Sequence, residues 1–421
     1  MNAVGIDVSK GKSTVAVLRP FGEVVKSPFE VAHTEDELSE LANLLLSLDG
    51  ETRVVMEYTG KYYEPIARYL RGAGLFVCVV HAMLIHNYGK NSIRRVKTDK
   101  ADAVKIASYG IDRWLHLPEY VPEHDTRILL KSYSRQYNHY IKLKVMLKNN
   151  LIALLDQTFP GVNALFFSKP RKDDREKWVD FAVKFWHREC VCGLSRAKFH
   201  ERYTAWCKRA GYKASREKAD VIYDFACACV NVLPQNESTK TLMNITAAQL
   251  NATTDTLHAV HCEMLRLAQM LPEYPVVMAM RGVGVVLGPQ LMAEIGDVRR
   301  FTHKGALTAF AGLDSPPFQS GQFESSKRNI SKRGPSALRK TLFQVMDVVL
   351  KTAPADDAVF RVSRPKAQRR QALLRLHDGR SKQIPANLLR PYKRSFGKCL
   401  LALSRVGGDF FAFGILAKKY Y

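Results

Sequence analysis

Apolar and polar positions near the N-terminus fall into short alternating runs. Ala3–Val8 and Ser13–Leu18 predict two strands, and a turn at Pro20–Gly22 leads into a third at Glu23–Val25. Their brevity and punctuation predict an antiparallel meander. Leucines at 38, 41, 44, 45 and 46 then shift the period to that of a helix over Glu35–Leu48, with Thr34 as its N-cap. Thr52–Glu57 predicts a strand, Glu64–Arg71 a helix and Leu75–Val80 a fifth strand, and a last helix starts near Thr98 and runs through Ile106. The order βββαβαβα is the layout of an RNase H-like α/β domain, assigned to residues 1–120.

From Arg127 the spacing lengthens. Leu130, Tyr133, Tyr137, Tyr140, Lys144, Leu147, Leu151 and Leu154 recur three or four apart, as in a coiled-coil seam. Leu250, Leu257, Met264 and Leu271 recur every seven residues and predict a second long helix, antiparallel to the first. Such a seam serves self-association or packing within one chain equally well. Residues 160–240, between the two, read as helical and globular without assignable chemistry, and 121–274 forms a long-helical middle region. A mostly α C-terminal domain follows over 275–421. It opens on Met280-Arg-Gly-Val-Gly-Val-Val-Leu-Gly288, which resembles a helix-hairpin-helix turn whose glycine amides can approach a phosphate. Gly-Val-Gly also makes ordinary turns.

Composition adds direction. A chain of 421 residues is too long for one ordinary core, so two or three domains are expected. Sixty-four Lys and Arg against forty Asp and Glu give a net charge of +24, the balance of a protein that meets a polyanion. Residues 1–60 hold ten acids and five bases, whereas residues 361–400 hold twelve bases and one acid, Asp378. Neither a signal peptide nor a membrane span is expected. The eight cysteines form no Cys-x-x-Cys pair and suit reduced thiols in a cytoplasm. Cys190, Cys192, Cys207, Cys227 and Cys229, with His187 or His200, have the wrong spacing for common zinc sites.

Asp7 stands in the first strand between Ile6 and Val8, where a charge needs a reason to exist. Glu57 ends the fourth strand, and Asp99 and Asp102 lie three apart on one helix face. In an RNase H-like sheet the first and fourth strands are neighbours and the last helix crosses them, so the four carboxylates can converge. Any one of them alone reads equally as a strand cap or a solvated helix residue. Together they repel unless divalent cations intervene. Hard oxygen donors favour Mg²⁺ or Mn²⁺, and such metals serve in-line displacement at phosphorus. Lys97 and Lys100 are candidate phosphate contacts, though by composition they are solvated charges.

Gly5-Ile-Asp7-Val-Ser-Lys10, Met56-Glu57-Tyr-Thr-Gly60, Lys97-Thr-Asp99-Lys-Ala-Asp102-Ala and Phe318-Gln-Ser320-Gly321 resemble the insertion-sequence-110 family of transposases, relatives of Piv-type DNA invertases. The resemblance covers residues 1 to about 155 and 270 to about 350, in the family's order; the middle region and the tail beyond 360 match loosely. It implies a RuvC-like N-terminal domain with an acidic tetrad at Asp7, Glu57, Asp99 and Asp102. It also implies a transposase domain whose nucleophile corresponds to Ser320, and a structured bridge RNA that guides the protein to donor and target DNA. A Ser-Gly dipeptide by itself is more often a turn. As nucleophile, Ser320 would hold the cut end covalently and conserve the bond for rejoining.

Lys327, Arg328, Lys332 and Arg333 surround that serine and fit phosphate neutralisation, with Arg339 and Lys340 beyond them. The basic tail from Arg361 to Lys398 suits an RNA or DNA backbone. The resulting expectation is an RNA-guided DNA recombinase, dimeric or tetrameric, in the cytoplasm and nucleoid of a bacterium or archaeon. The alternatives are a Piv-like invertase or RuvC-like nuclease that needs no guide RNA, and a nonenzymatic nucleic-acid scaffold without metal dependence.

Overall fold

The computed structural model describes residues 1–58, 60–88, 98–167, 170–171, 173–314, 319–320, 323–324 and 330–352. The chain divides into two compact units, Met1–Pro122 and Glu123–Tyr421. Among the described residues no helix is long and apolar enough to cross a membrane.

The first unit is a five-stranded sheet. Strands β1 (Asn2–Val8), β2 (Lys12–Leu18) and β3 (Val24–Ala32) form the antiparallel meander that the punctuation predicts. Helix α1 (Glu35–Leu46) is capped by Thr34, whose side chain accepts from the Glu37 amide at 3.4 Å. Strand β4 (Thr52–Glu57), helix α2 (Tyr63–Gly72) and strand β5 (Phe76–Val80) follow, with β4 parallel to both β1 and β5. The strand order β3-β2-β1-β4-β5 is the RNase H-like order. Two details differ from the expected pattern. β3 runs through Ala32 instead of stopping at Val25, because its pairing with β2 continues past the register shifts at Val17, from Val15 opposite Phe29 to Lys12 opposite Ala32. An unforeseen short helix, α3 (Ala82–Tyr88), precedes α4 (Asp99–Asp112).

The two faces of the sheet are covered differently. Val4, Ile6, Val8, Val54 and Met56 pack with Leu38, Leu41 and Leu45 of α1 and Ile66 and Leu70 of α2. On the opposite face Ala3 and Gly5 leave room for α4, whose small residues Ala103, Ala107 and Gly110 recur at helical spacing. A Cβ added to Gly5 would lie 2.1 Å from the Ala103 carbonyl oxygen and 2.3 Å from the Ala107 nitrogen. One added to Gly110 would lie 2.9 Å from Val55 Cγ2. Helix and sheet therefore touch backbone to backbone.

The second unit is built on two long helices. Helix α5 (Asp125–Thr158) leads into four helices, α6 (Lys177–Lys184), α7 (Glu189–Cys192), α8 (Arg196–Ala210) and α9 (Arg216–Ala228), and α10 (Glu237–Gln269) returns along α5. The predicted seam is unevenly buried. Leu151 and Leu155 join Met243, Ala247 and Leu250 in a core with the aromatic residues of α6 and α8. At the other end Leu130, Met264, Leu267 and Leu271 join α11 (Tyr274–Met278), α12 (Leu287–Ile295), α13 (Lys304–Phe310) and α14 (Ser336–Thr352). Between them Tyr140 and Lys144 are only half-buried. Buried Arg127 fastens the second end, donating to both Glu273 carboxylate oxygens, at 3.1 Å for Nη2 to Oε2, and to the Gly296 carbonyl at 3.2 Å.

Gly5→Ala forces helix and sheet apart. It is expected to destabilise the first unit by about 2–4 kcal/mol, the upper range for overpacking a close contact. Gly72→Ala, at a position with nothing within 4 Å, should be neutral or slightly stabilising. Thermal unfolding of the two variants side by side checks this; equal transitions would mean that the close approach is not required.

Candidate active site

Side chains two apart on a strand share a face. Because Gly5 faces α4, Asp7 faces the same way, and because Val55 meets Gly110, so does Glu57. Ile6 pairs with Met56 in the parallel register of β1 and β4, so Asp7 and Glu57 follow one step further on neighbouring strands. Helix α4 lays its N-terminal turn over that end of the sheet. Its start is set by Thr98, whose side chain accepts from the Ala101 amide at 3.2 Å. Asp99 lies on the stripe of Ala103 and Ala107, one turn earlier, and Asp102 stands three residues on.

The four carboxylates feel one another. Asp7 is pushed up to about 6, first by its burial and then by the charges of Asp102, Asp99 and Glu57. Glu57 is also raised, by burial and by Asp102, against the opposing pull of Lys105, His81 and His86. His81 and His86 are not singled out by spacing. His81 follows β5, and its neighbourhood to Glu57 comes from the β4–β5 pairing, a long-range contact. Lys105 sits one turn beyond Asp102 on α4, a place that could have been read from the sequence.

Among the described residues no three or more His, Cys, Asp or Glu side chains are gathered into a ready-made metal cage. The donor set nevertheless fits a hard divalent cation: four carboxylates from three elements, of which Asp7 and Glu57 are part-buried and raised by burial and by neighbouring negative charge that such a cation relieves. Lys100 is exposed in the first turn of α4, while Lys97 lies outside the described residues.

In the second unit Ser320 ends strand β6 (Gln319–Ser320), opposite Phe323 of β7 (Phe323–Glu324). The chain on either side of this hairpin is clamped. The Ser331 amide donates to the Asp314 carbonyl at 2.9 Å, the Ser331 hydroxyl donates to the Asp314 carboxylate, and the Lys332 amide donates to the Gly312 carbonyl at 3.0 Å. Arg339 Nη1 donates to the carbonyls of Ala311, at 3.3 Å, and Gly334. A Cβ on Gly334 would fall 1.6 Å from the Phe310 carbonyl oxygen, so the two segments cross in contact. Arg339 is thus occupied in the clamp, while exposed Lys340 donates to Asn138 at 2.9 Å. Lys332 and Arg333 are exposed beside the clamp; Lys327, Arg328 and the basic tail lie outside the described residues.

The expected glycine turn between α11 and α12 also divides its roles. Gly282, at φ +81°, packs on α14, since a Cβ there would meet Val349 Cγ2 at 2.5 Å and the Val345 carbonyl oxygen at 2.9 Å. Gly284 faces open space.

Two family models match the chain. A DEDD transposase model of IS110 type matches residues 4–160, and the model of the transposase IS116/IS110/IS902 family matches residues 274–361. Pilin gene-inverting proteins of Moraxella lacunata and Moraxella bovis are each 27% identical over 135 residues, 32% of this chain. The chain spans 38% of the length of these curated relatives. A solved chain of T. thermophilus RuvC in complex with Holliday junction substrate aligns at 12% identity, covering 29% of this chain and 99% of that one, with a TM-score of 0.22.

The raised Asp7 carboxyl has a stability consequence. Its folded value of about 6 exceeds the ordinary 3.8, so the native state binds more protons than the unfolded chain in that window. Metal-free stability therefore falls as pH rises from about 4 to about 6 and stays lower above it. In chelator near pH 7.5, Asp7→Asn is expected to gain about 1–3 kcal/mol in denaturant unfolding and to lose this pH dependence. Added Mg²⁺ should stabilise the parent and not the variant. A variant no more stable than its parent in chelator would show that these carboxylates do not strain one another.

Proposed function

This chain belongs to the IS110 family of transposases, matched by two family models in their order along the chain, and from that premise we propose that it cuts and rejoins DNA at the Asp7, Glu57, Asp99 and Asp102 tetrad with Ser320 as nucleophile. The observation that carries the metal part is the approach of all four carboxylates at one end of the sheet under α4, with Asp7 raised by burial and then by the charges of the other three. A divalent cation held there by Asp7, Glu57, Asp99 and Asp102, Mg²⁺ or Mn²⁺, would polarise phosphate oxygens for in-line displacement.

The chain's own residues do the rest. Ser320 Oγ attacks phosphorus and the bond to one sugar oxygen breaks. The serine proton ends on that leaving oxygen, and the cut end stays behind as a phosphoserine ester. A hydroxyl of the incoming strand then attacks the same phosphorus and displaces Ser320, so the phosphodiester is rebuilt without loss to water. The clamp of Asp314, Ser331 and Arg339 supports this role by fixing both ends of the segment that carries Ser320. Lys100, Lys332 and Arg333 are assigned to phosphate neutralisation. Open space at Gly284 suits a backbone phosphate at a helix-hairpin-helix turn.

In the same reading a structured guide RNA supplies specificity by base pairing, and the basic excess of the chain grips backbone. Self-association through the long helices brings copies together as a dimer or tetramer. A second reading, a DNA invertase that needs no guide RNA, is favoured by the likeness to the pilin gene-inverting proteins.

Purified protein with Mg²⁺, donor and target DNA, and RNA transcribed from the flanks of its gene is expected to give joined product. Asp7→Ala should reduce joining by at least about 100-fold, the scale on which losing one preorganised electrostatic group acts. Ser320→Ala should leave neither joined product nor a covalent protein–DNA adduct. Joining by Ser320→Ala at the parent rate would remove the serine step and leave a metal-dependent nuclease that uses water. Product formed equally without RNA would select the invertase reading, and metal-independent binding without cleavage would overturn both.

A further inference from the structure

Between the long helices, residues 161–233 carry fifteen Lys and Arg against nine Asp and Glu. The acids are largely taken. Glu176 accepts from Lys148 at 2.6 Å, Asp180 accepts from the Tyr212 hydroxyl, Glu189 pairs with Arg188 at 3.2 Å, and Asp220 and Asp224 both hold Arg196. Lys198, Arg202, Lys208, Arg209, Lys213 and Arg216 are exposed, and among the described residues none of them makes an ion pair.

These cations are ordered by the helix that carries them. Lys198, Arg202 and Arg209 are four and seven apart, so they form one stripe along the outer face of α8, spaced by about 6 and 10 Å of helical rise. The adjoining face, about 100° round the helix, is anchored by Phe199, Tyr203, Trp206 and Cys207, all buried in the local core. Beside the stripe an open groove of about 610 Å³ runs between α8 and α9, with Ala197, Thr204, Ala205 and Ala214 along it and Lys208 and Arg216 at its rim. Glu201 also lines this groove and opposes the cations around it.

We propose that this inserted helical region is a sequence-independent grip for the phosphate backbone of a double helix. A rigid row of unpaired cations above a groove lined by small side chains suits phosphates. Every Phe, Tyr and Trp ring of α8 is buried, and the part-buried His200 in the groove is paired with Asp220 at 3.0 Å, so the face offers no stacking platform of the kind that single strands use. The placement fits a duplex as well: the two cores of this unit are joined by α5 from Leu130 to Leu151, about 31 Å of helical rise and close to one turn of B-DNA. The grip rests on the reading of the chain as a nucleic-acid enzyme, but its residues lie outside both the tetrad and the serine hairpin.

The test is fluorescence anisotropy of the full chain with DNA and RNA duplexes of about 30 base pairs, some three helical turns, titrated between about 50 and 200 mM salt. The combined variant Lys198→Ala, Arg202→Ala and Arg209→Ala is compared with the charge-preserving Lys198→Arg, Arg202→Lys and Arg209→Lys. The alanine variant should bind at least about tenfold more weakly and lower the slope of log Kd against log salt by about 2 to 3, close to 0.9 for each lost phosphate contact. The charge-preserving variant should match the parent, with unchanged thermal unfolding in both. Loss on the DNA duplex alone or on the RNA duplex alone identifies which helix is held. Unchanged affinity and slope on both duplexes would overturn the grip. DNA joining is followed in parallel. A parent that never joins DNA yet shows the α8-dependent slope refutes the catalytic reading and leaves the grip standing, and a joining parent with an indifferent alanine variant refutes only the grip.

Discussion

The candidate active site hangs on the close approach of α4 to β1 at Gly5. Backbone contact at that distance exists only because Gly5 lacks a side chain and α4 presents Ala103, Ala107 and Gly110 toward it. Any larger residue would hold the helix away from the sheet, and with it Asp99 and Asp102. The electrostatic strain of four neighbouring carboxylates pushes in the opposite direction. Tight apolar packing over Val55, Cys78, Val80 and Ile106 is what holds the acids together against that repulsion. A stability cost is thus concentrated at the place where chemistry is proposed, while the α1 and α2 face of the sheet supplies ordinary hydrophobic burial.

The second unit answers a different constraint. Two long helices can bury their facing sides only if something closes each end. Here one end is closed by the aromatic core of the insertion and the other by α11 to α14. Arg127 ties the start of α5 to Glu273 after α10 and to Gly296 after α12, so three chain segments meet at one desolvated guanidinium. Removing either charge would leave its partner buried and unpaired, so the pair holds an arrangement more than it adds net stability. The same logic governs the clamp below β6 and β7. Gly312, Gly334 and Arg339 let the segments around Asp314 and Ser331 cross in contact.

Charge is distributed to match. Acids gather at the sheet end and in ion pairs within the insertion, whereas unpaired cations face solvent on α8 and beside the clamp. Local pairing neutralises Arg171, Arg175, Arg188 and Arg196, so a count of basic residues overstates the surface available to a polyanion.

The sequence by itself determined most elements of the first unit, α3 and the second half of β3 excepted, and the position of Asp7, Glu57, Asp99 and Asp102 on them. Period-two alternation and leucine spacing are local properties, and Asp7 in an apolar strand stands out wherever that strand goes. The strands Ala3–Val8 and Thr52–Glu57, the cap at Thr34 and the start of a helix at Thr98 were legible for that reason. The small stripe of Ala103, Ala107 and Gly110 was also there to be read, and its meaning depended on Gly5, about a hundred residues away. Only the tertiary structure decided which cations are free and which are used, as Arg339 shows, and that Gly282 packs on Val349. It alone brought His81 and His86 around Glu57 and split one continuous seam into two buried ends with a half-exposed centre. Each of these depends on contacts between segments far apart in the chain, where burial and pairing are set by neighbours that no local period encodes.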